Sequence, residues 1–419
     1  MTDFPNAAEL GFDPDALANA VQFASGLRSS SVRVYRHGQL ADKSARDART
    51  ERIPQPLAST SKGVLSLLVG RAITMGHFAL DDRLGTFLPE ADAAHAALTV
   101  RQLLNQTSGL KFSWVAEWAG LETDVVAQVL ALPFAHEPGT VFEYAQTTLS
   151  LLGVIIERTT GLDFQLFAQR ELFGKIGISR NHWVWLRDRK GRTITAGGLF
   201  LRPDHQALLG ELMLRMGRWD GEQLINSDYV AQAVTGTVAN PGYGFLFWLN
   251  EGNTYKIASV PTPLTIRHPI FPGSPRDTYA FCGMLGQLIV VVPSRDLVII
   301  RNGLPTRFER SDPVKYSSAT TSPDLKEIVR RIVASVADIP PCSDPGPDTY
   351  DDGRYTVVSP ELGWSPVFNR DLLRAALNAQ PGRPWLLGGS RSWFLDQTRR
   401  SIDAVRQIAR AAHALLKGQ

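Results

Sequence analysis

The chain has 419 residues, 44% of them hydrophobic and 20% charged, with a formal net charge of +3. That is enough chain to bury a full core or two packed lobes, and its small, interspersed charge excludes a nucleic-acid binder. Two cysteines, Cys282 and Cys342, exclude a disulfide framework and a zinc spacing. The first residues, Met1-Thr2-Asp3-Phe4-Pro5, lack a basic stretch followed by an apolar run. No apolar stretch approaches the ~20 residues of a membrane span, so a cytoplasmic protein with no membrane partner is expected.

In chain order, the pattern predicts a helix over 13–27 and strands over 31–35 and 39–41, joined at His37-Gly38. An apolar run over 63–73, GVLSLLVGRAI, predicts a buried helix. Residues 75–266 read as mainly helical, with loops rich in Gly, Pro and Trp. Strands return over 279–281, 288–292 and 297–301, and a closing helix is expected over 325–337, stopped by Pro340-Pro341. Strands at both ends with helices between predict an α+β fold, an antiparallel sheet flanked by helices with a mainly helical lobe inserted. The expected division is 1–74 with 267–340 as the sheet lobe, 75–266 as the helical lobe and 341–419 as an extension. That extension ends in a helical stripe, Phe394, Ile402, Val405, Ile408, Ala412 and Leu415, with Arg399, Arg400, Arg406 and Arg410 on much of the remainder. A basic amphipathic helix can bind a membrane or partner. Packing on its own protein, or on a second copy in a homodimer, is the plainer expectation.

The chemistry begins at Ser59-Thr60-Ser61-Lys62. A serine and a lysine three apart share one helical turn, near a helix N-terminus that favours developing negative charge. A serine hydroxyl is a poor nucleophile until a base removes its proton, and a desolvated lysine amine can help. The spacing alone is weak, since it recurs by chance. Two further segments strengthen it: Pro138-Gly139-Thr140-Val141-Phe142-Glu143-Tyr144-Ala145-Gln146, and Phe281-Cys282-Gly283-Met284-Leu285-Gly286-Gln287 before the strand LIVVVP.

These three segments, in this order, resemble the serine β-lactamase-like superfamily: class C β-lactamases, D-alanyl-D-alanine peptidases and related esterases and amide hydrolases. The likeness runs from about residue 20 to about 337. It includes Gly76-His77-Phe78-Ala79-Leu80-Asp81-Asp82, Phe87-Leu88-Pro89-Glu90 and Leu98-Thr99-Val100-Arg101-Gln102-Leu103-Leu104-Asn105-Gln106-Thr107-Ser108-Gly109-Leu110. The resemblance implies that Ser59 is acylated, that Lys62 and Tyr144 manage the proton, and that the backbone amides of Ser59 and Met284 form the oxyanion hole. A tyrosinate at neutral pH needs about 4 kcal/mol of favourable electrostatics, which a nearby ammonium could supply. The alternative is a neutral Lys62 acting as the base. For Tyr144 itself the plain alternative is a buried structural tyrosine.

The departures from the pattern narrow the function. Gln146 stands where asparagine is usual, moving the amide by one methylene. Phe281 stands where β-lactamases and peptidases carry a lysine or histidine for the substrate carboxylate, and an aromatic ring cannot pair with a carboxylate. An ester or linear amide is therefore the expected small-molecule substrate, with Gln146, Phe281, Cys282, Gly283, Trp114 and Trp118 as candidate contacts. Gly-x-x-Gly-Gln also resembles the amide-hydrolase branch that cleaves linear ω-amino-acid oligomers. Tyr243, Phe245, Phe247 and Trp248 look like a further aromatic wall, with packing in the lobe the equal alternative. An acyltransferase with the same acyl-enzyme is the alternative function. A non-catalytic binding protein is disfavoured by the intact Ser59, Lys62 and Tyr144. The eight histidines are scattered without metal spacing, and no metal or cofactor is implied.

Overall fold

Asp13 caps helix α1 (Pro14–Gly26), its side chain accepting from the backbone N–H groups of Asp15 and Ala16 at 3.0 Å each. The computed structural model describes residues 6–111, 124–187, 191–257, 264–307, 316 and 318–342. Strands β1 (Ser29–Arg36) and β2 (Gln39–Ala45) follow, joined by His37 at φ 52 and Gly38 at φ 72. Positive φ at both turn residues matches the right-handed twist of a two-residue hairpin. β2 runs four residues past the expected 39–41.

Helix α2 (Ser61–Thr74) is buried at every position from Ser61 to Ala72, as its all-round apolar sequence requires. Helices α3 (Ser150–Thr160) and α4 (Pro203–Leu214) come next, then the short strand β3 (Trp248–Leu249). Strands β4 (Tyr279–Gly283), β5 (Gln287–Val292) and β6 (Leu297–Gly303) precede the closing helix α5 (Pro323–Ala334). α5 starts two residues earlier than expected because the Ser322 side chain caps it at Leu325 N–H, 3.3 Å away.

The sheet order is β2-β1-β6-β5-β4-β3, antiparallel throughout. The sheet thus joins the two ends of the described chain. Every residue of β4 and β5 is buried; since successive side chains point to opposite faces, both faces of these strands are covered. α1 packs on β1, β2 and α5, whereas α4 packs on β1, β5 and β6. The α+β architecture is the one expected, but the sheet lobe also draws on residues inside the 75–266 span: α4 lies on the sheet and β3 pairs with β4. Their burial needs the sheet as a partner, which local sequence does not reveal. Among the described residues no helix is long and apolar enough to cross a membrane. The 393–417 stripe lies outside the described residues.

α2 meets β4 through a glycine. A Cβ on Gly63 would collide with the Phe281 ring, whose side chain is fully buried. Alanine in a helix interior normally gains about 0.5–1 kcal/mol over glycine. Here Gly63→Ala is expected to lose stability instead, by about 1–3 kcal/mol of overpacking, read by urea unfolding; a more stable Gly63→Ala protein would contradict this close approach.

Candidate active site

Ser59 sits in a single tight turn, Ala58–Thr60, immediately before α2. Ala58 holds φ 47, in the left-handed region that a residue with a Cβ adopts only under constraint. The constraint is visible. Ser61 Oγ donates to the Ala58 carbonyl at 2.6 Å and accepts from Leu199 N–H at 3.2 Å, while Leu57 N–H donates to the Leu199 carbonyl at 2.9 Å. On the other side, a Cβ on Gly283 would collide with the Leu57 carbonyl and lie 2.8 Å from Thr60 Oγ1. The end of β4 therefore rests directly on the Ser59 turn.

Lys62, in the first turn of α2, is 1% exposed. Its Nζ donates to Ser59 Oγ at 3.0 Å and to the Ala196 carbonyl at 2.9 Å, and it lies 4.8 Å from the centroid of the Tyr144 ring. The Tyr144 ring packs among Phe142, Tyr243 and Trp248, with centroids 6.4, 6.1 and 5.7 Å away. Desolvation, the dominant influence, holds its hydroxyl well above the usual phenol range; the Ser59 and Trp248 side chains pull it back and Cys282 pushes it further up. The tyrosinate considered from the sequence is thus disfavoured in the resting site.

The loop carrying Tyr144 is held by Gln106, a residue at φ 59. Gln106 Oε1 accepts from Ala145 N–H at 2.6 Å, its carbonyl accepts from Glu143 N–H at 2.9 Å, and its Nε2 donates to Tyr243 Oη at 3.5 Å. Gln146 is half-buried beside Gly197, where an added Cβ would stand 3.8 Å from Gln146 Oε1. Ala196, which accepts from Lys62, is the neighbouring residue.

Met284 follows Gly283 at the end of β4, with its side chain 50% exposed. The turn after it has Leu285 at φ 63 and Gly286 at φ 75. Arg301 on β6 ties this turn down, donating to the carbonyls of Leu285 and Gly286 at 3.0 and 2.9 Å. It also donates to the carbonyls of Leu27 and Leu304 and to Ser29 Oγ. Burial pushes its guanidinium down to about 9, which leaves it charged at neutral pH.

Phe281 does not line a cleft, which corrects its expected role as a substrate contact. Strand alternation turns it toward α2, where it packs against Gly63 and meets Phe247 at 4.8 Å, ring planes 86° apart. Cys282 is also buried, and burial pushes its thiol up. Cys282 and Cys342 are both free thiols. Tyr243, Phe245 and Phe247 are core residues at 1, 3 and 0% exposure, so packing prevails for them. Trp114 and Trp118 lie outside the described residues. Among the described residues no group of three His, Cys, Asp or Glu side chains could hold a metal ion.

Sequence reasoning missed Gln106, Ala196, Trp248 as a neighbour of Tyr144, and Arg301. Only Arg301 carried a signal, as a cation inside the otherwise apolar strand LVIIRNG. The Ala196 carbonyl left none.

A helix-flanked antiparallel sheet with Ser59, Lys62 and Tyr144 gathered where β4 meets α2 is a β-lactamase/transpeptidase-like fold. The model of the β-lactamase family matches residues 18–319, and the chain belongs to that family. It is 29% identical to esterase EstB of Burkholderia gladioli over 186 residues, 37% of this chain and 47% of the esterase. The match thus spans less than half of that relative's length. Two solved structures share the fold. EstCE1, described as a hydrolase with promiscuous acyltransferase activity, superposes with a TM-score of 0.54 at 18% identity, covering 75% of this chain and 99% of EstCE1. A Bacillus anthracis structure bearing the name 6-aminohexanoate-dimer hydrolase gives 0.58 at 16% identity, covering 75% and 80%.

The desolvated hydroxyl of the half-buried Tyr144 has a spectroscopic consequence. Between pH 7 and about 10, where a free phenol begins to ionise, Tyr144→Phe is expected to remove no tyrosinate absorbance from the wild-type difference spectrum. A phenolate signal lost on that substitution would mean that charge, not burial, governs Tyr144.

Proposed function

We propose that this protein is a serine hydrolase that cleaves an ester or linear amide through an acyl-enzyme on Ser59. The observation that carries the reading is the 3.0 Å contact between Lys62 Nζ and Ser59 Oγ, with the Tyr144 ring 4.8 Å from the same amine. Ser59 Oγ attacks the acyl carbonyl and its proton passes to the Lys62 amine. Tyr144, protonated at rest, hands its own proton to the departing alcohol or amine and recovers one from Lys62. The backbone amides of Ser59 and Met284 take the oxyanion. Water then attacks the acyl-enzyme, gives its proton to the same pair, and the acid leaves as Ser59 regains its hydrogen.

Membership of the β-lactamase family and the likeness to an esterase support this reading. A β-lactam or peptidoglycan substrate is disfavoured, because Phe281 can offer its carboxylate no charge. Transfer of the acyl group to an alcohol or amine is the second reading, supported by the acyltransferase activity named for EstCE1.

Intact-mass spectrometry with a p-nitrophenyl ester and with a serine-directed phosphonate tests the proposal. The wild type is expected to gain one acyl or phosphonyl group and Ser59→Ala none. Tyr144→Phe is expected to lower kcat on alkyl esters by about 10²- to 10⁴-fold. Full hydrolytic activity in Ser59→Ala would end the proposal.

A further inference from the structure

Tyr144 lies in a stretch, 142–145, that belongs to no helix or strand, so no ladder of backbone bonds fixes it. Gln106, 39 residues before Ala145, grips the chain on both sides of the tyrosine. Its side-chain Oε1 accepts from Ala145 N–H at 2.6 Å, and its own carbonyl accepts from Glu143 N–H at 2.9 Å. A backbone N–H only donates, so Oε1 must face Ala145 and the amide Nε2 points away from it. There Nε2 makes a long contact, 3.5 Å, to Tyr243 Oη, and the Tyr243 ring meets that of Tyr144 edge-on, centroids 6.1 Å apart at 85°.

The residue type breaks a local rule. Gln106 follows Asn105, the C-cap of the short helix Val100–Leu104, and holds φ 59. Glycine, or sometimes asparagine, normally takes that left-handed position. Glycine has no side chain to offer the loop, and asparagine is one methylene shorter. Gln106 is also 4% exposed, so its amide serves the interior rather than solvent. A strained residue whose acceptors both point at one loop marks a place where the fold serves the site.

We propose that Gln106 is a positioning residue: by fixing the amides before and after Tyr144, it holds the phenol ring against the Lys62 amine and so sets the path of the Tyr144 proton. The inference rests on the proposed proton transfer from Tyr144 to the leaving group. Gln106 itself exchanges no proton. The moving proton goes from Tyr144 to the leaving oxygen or nitrogen and is replaced from Lys62. The leverage is geometric, since misplacing a reacting group by about 1 Å costs about 10²-fold in rate.

The test pairs two variants with two leaving groups. Gln106→Met keeps the length of the side chain and deletes its strong acceptor, whereas Gln106→Glu keeps an acceptor oxygen at the same reach. An alkoxide needs a proton to leave, and p-nitrophenolate does not. In Gln106→Met, kcat on an alkyl ester is expected to fall about 10- to 100-fold with KM within about threefold. The p-nitrophenyl ester of the same acid is expected to be cleaved at near the wild-type rate. Gln106→Glu is expected to keep most of the alkyl-ester turnover. A merely structural role would slow both esters together and would not be rescued by glutamate. Equal losses on the two esters, no loss in Gln106→Met, or a Gln106→Glu as slow as Gln106→Met would overturn the inference. Labelling of Ser59 by the phosphonate in the wild type is read alongside: its absence would sink the proposed function, its presence with any of those three results only the role of Gln106. A second measurement needs no variant and decides the matter even where Gln106→Met does not fold. Hydrogen exchange over residues 143–146 of the wild type is expected to show the Glu143 and Ala145 amides protected. If the Ala145 amide exchanges as fast as in an open chain, its bond to Gln106 is absent and the inference fails.

Discussion

The rest of the site depends on how closely helix α2 lies against the end of strand β4. Two glycines set that approach. Gly63 leaves room for the Phe281 ring, and Gly283 leaves room for the Leu57 carbonyl and the Thr60 hydroxyl. Van der Waals contact at both points leaves no slack, so the Ser59 turn and the Met284 backbone share one rigid frame. The strained φ at Ala58 persists because the same frame over-determines it, through the Ser61 hydroxyl and the Leu199 backbone. Strain of this kind costs of order 1–3 kcal/mol and survives only where neighbours impose it.

Two buried basic side chains divide the polar work. Arg301 directs its donors to four backbone carbonyls and one hydroxyl, so its desolvation is met by fixed dipoles. Those bonds hold the turn that follows Met284. Lys62 divides its contacts differently, with one donated to the Ala196 carbonyl and one to the Ser59 hydroxyl. The first anchors the amine. The second is to the hydroxyl that the proposed function makes the nucleophile.

The aromatic cluster around Tyr144 shows where a motif reading stops. In sequence, Phe281 looked like a substrate contact, because it stands at the first position of the third motif. Pleat parity decides otherwise: Phe281 pairs across with Ile289 and turns toward α2. Tyr243, Phe245 and Phe247 likewise serve the core. Trp248 is as buried as its neighbours, and its ring packs on that of Tyr144, a contact that no spacing in the chain marks out.

What the chain determined by itself is local and periodic. The all-apolar run of α2, the LIVVV strand, the Asp13 cap and the three-residue interval between Ser59 and Lys62 follow from helical and strand periodicity acting over a few residues. Their order along the chain carried the likeness to the family, and with it the α+β fold. Tertiary structure decided everything that depends on distance between segments. It joined β1 to β6 across some 260 residues of chain, brought the Ala196 carbonyl to Lys62, and put Gln106 beneath the Tyr144 loop. It also decided, for Tyr243, Phe245 and Phe247, between a wall of aromatic contacts and a packed core, in favour of the core. The physical reason is that a backbone carbonyl or a buried ring has no sequence signature; its partner is chosen by packing, which only the folded chain specifies.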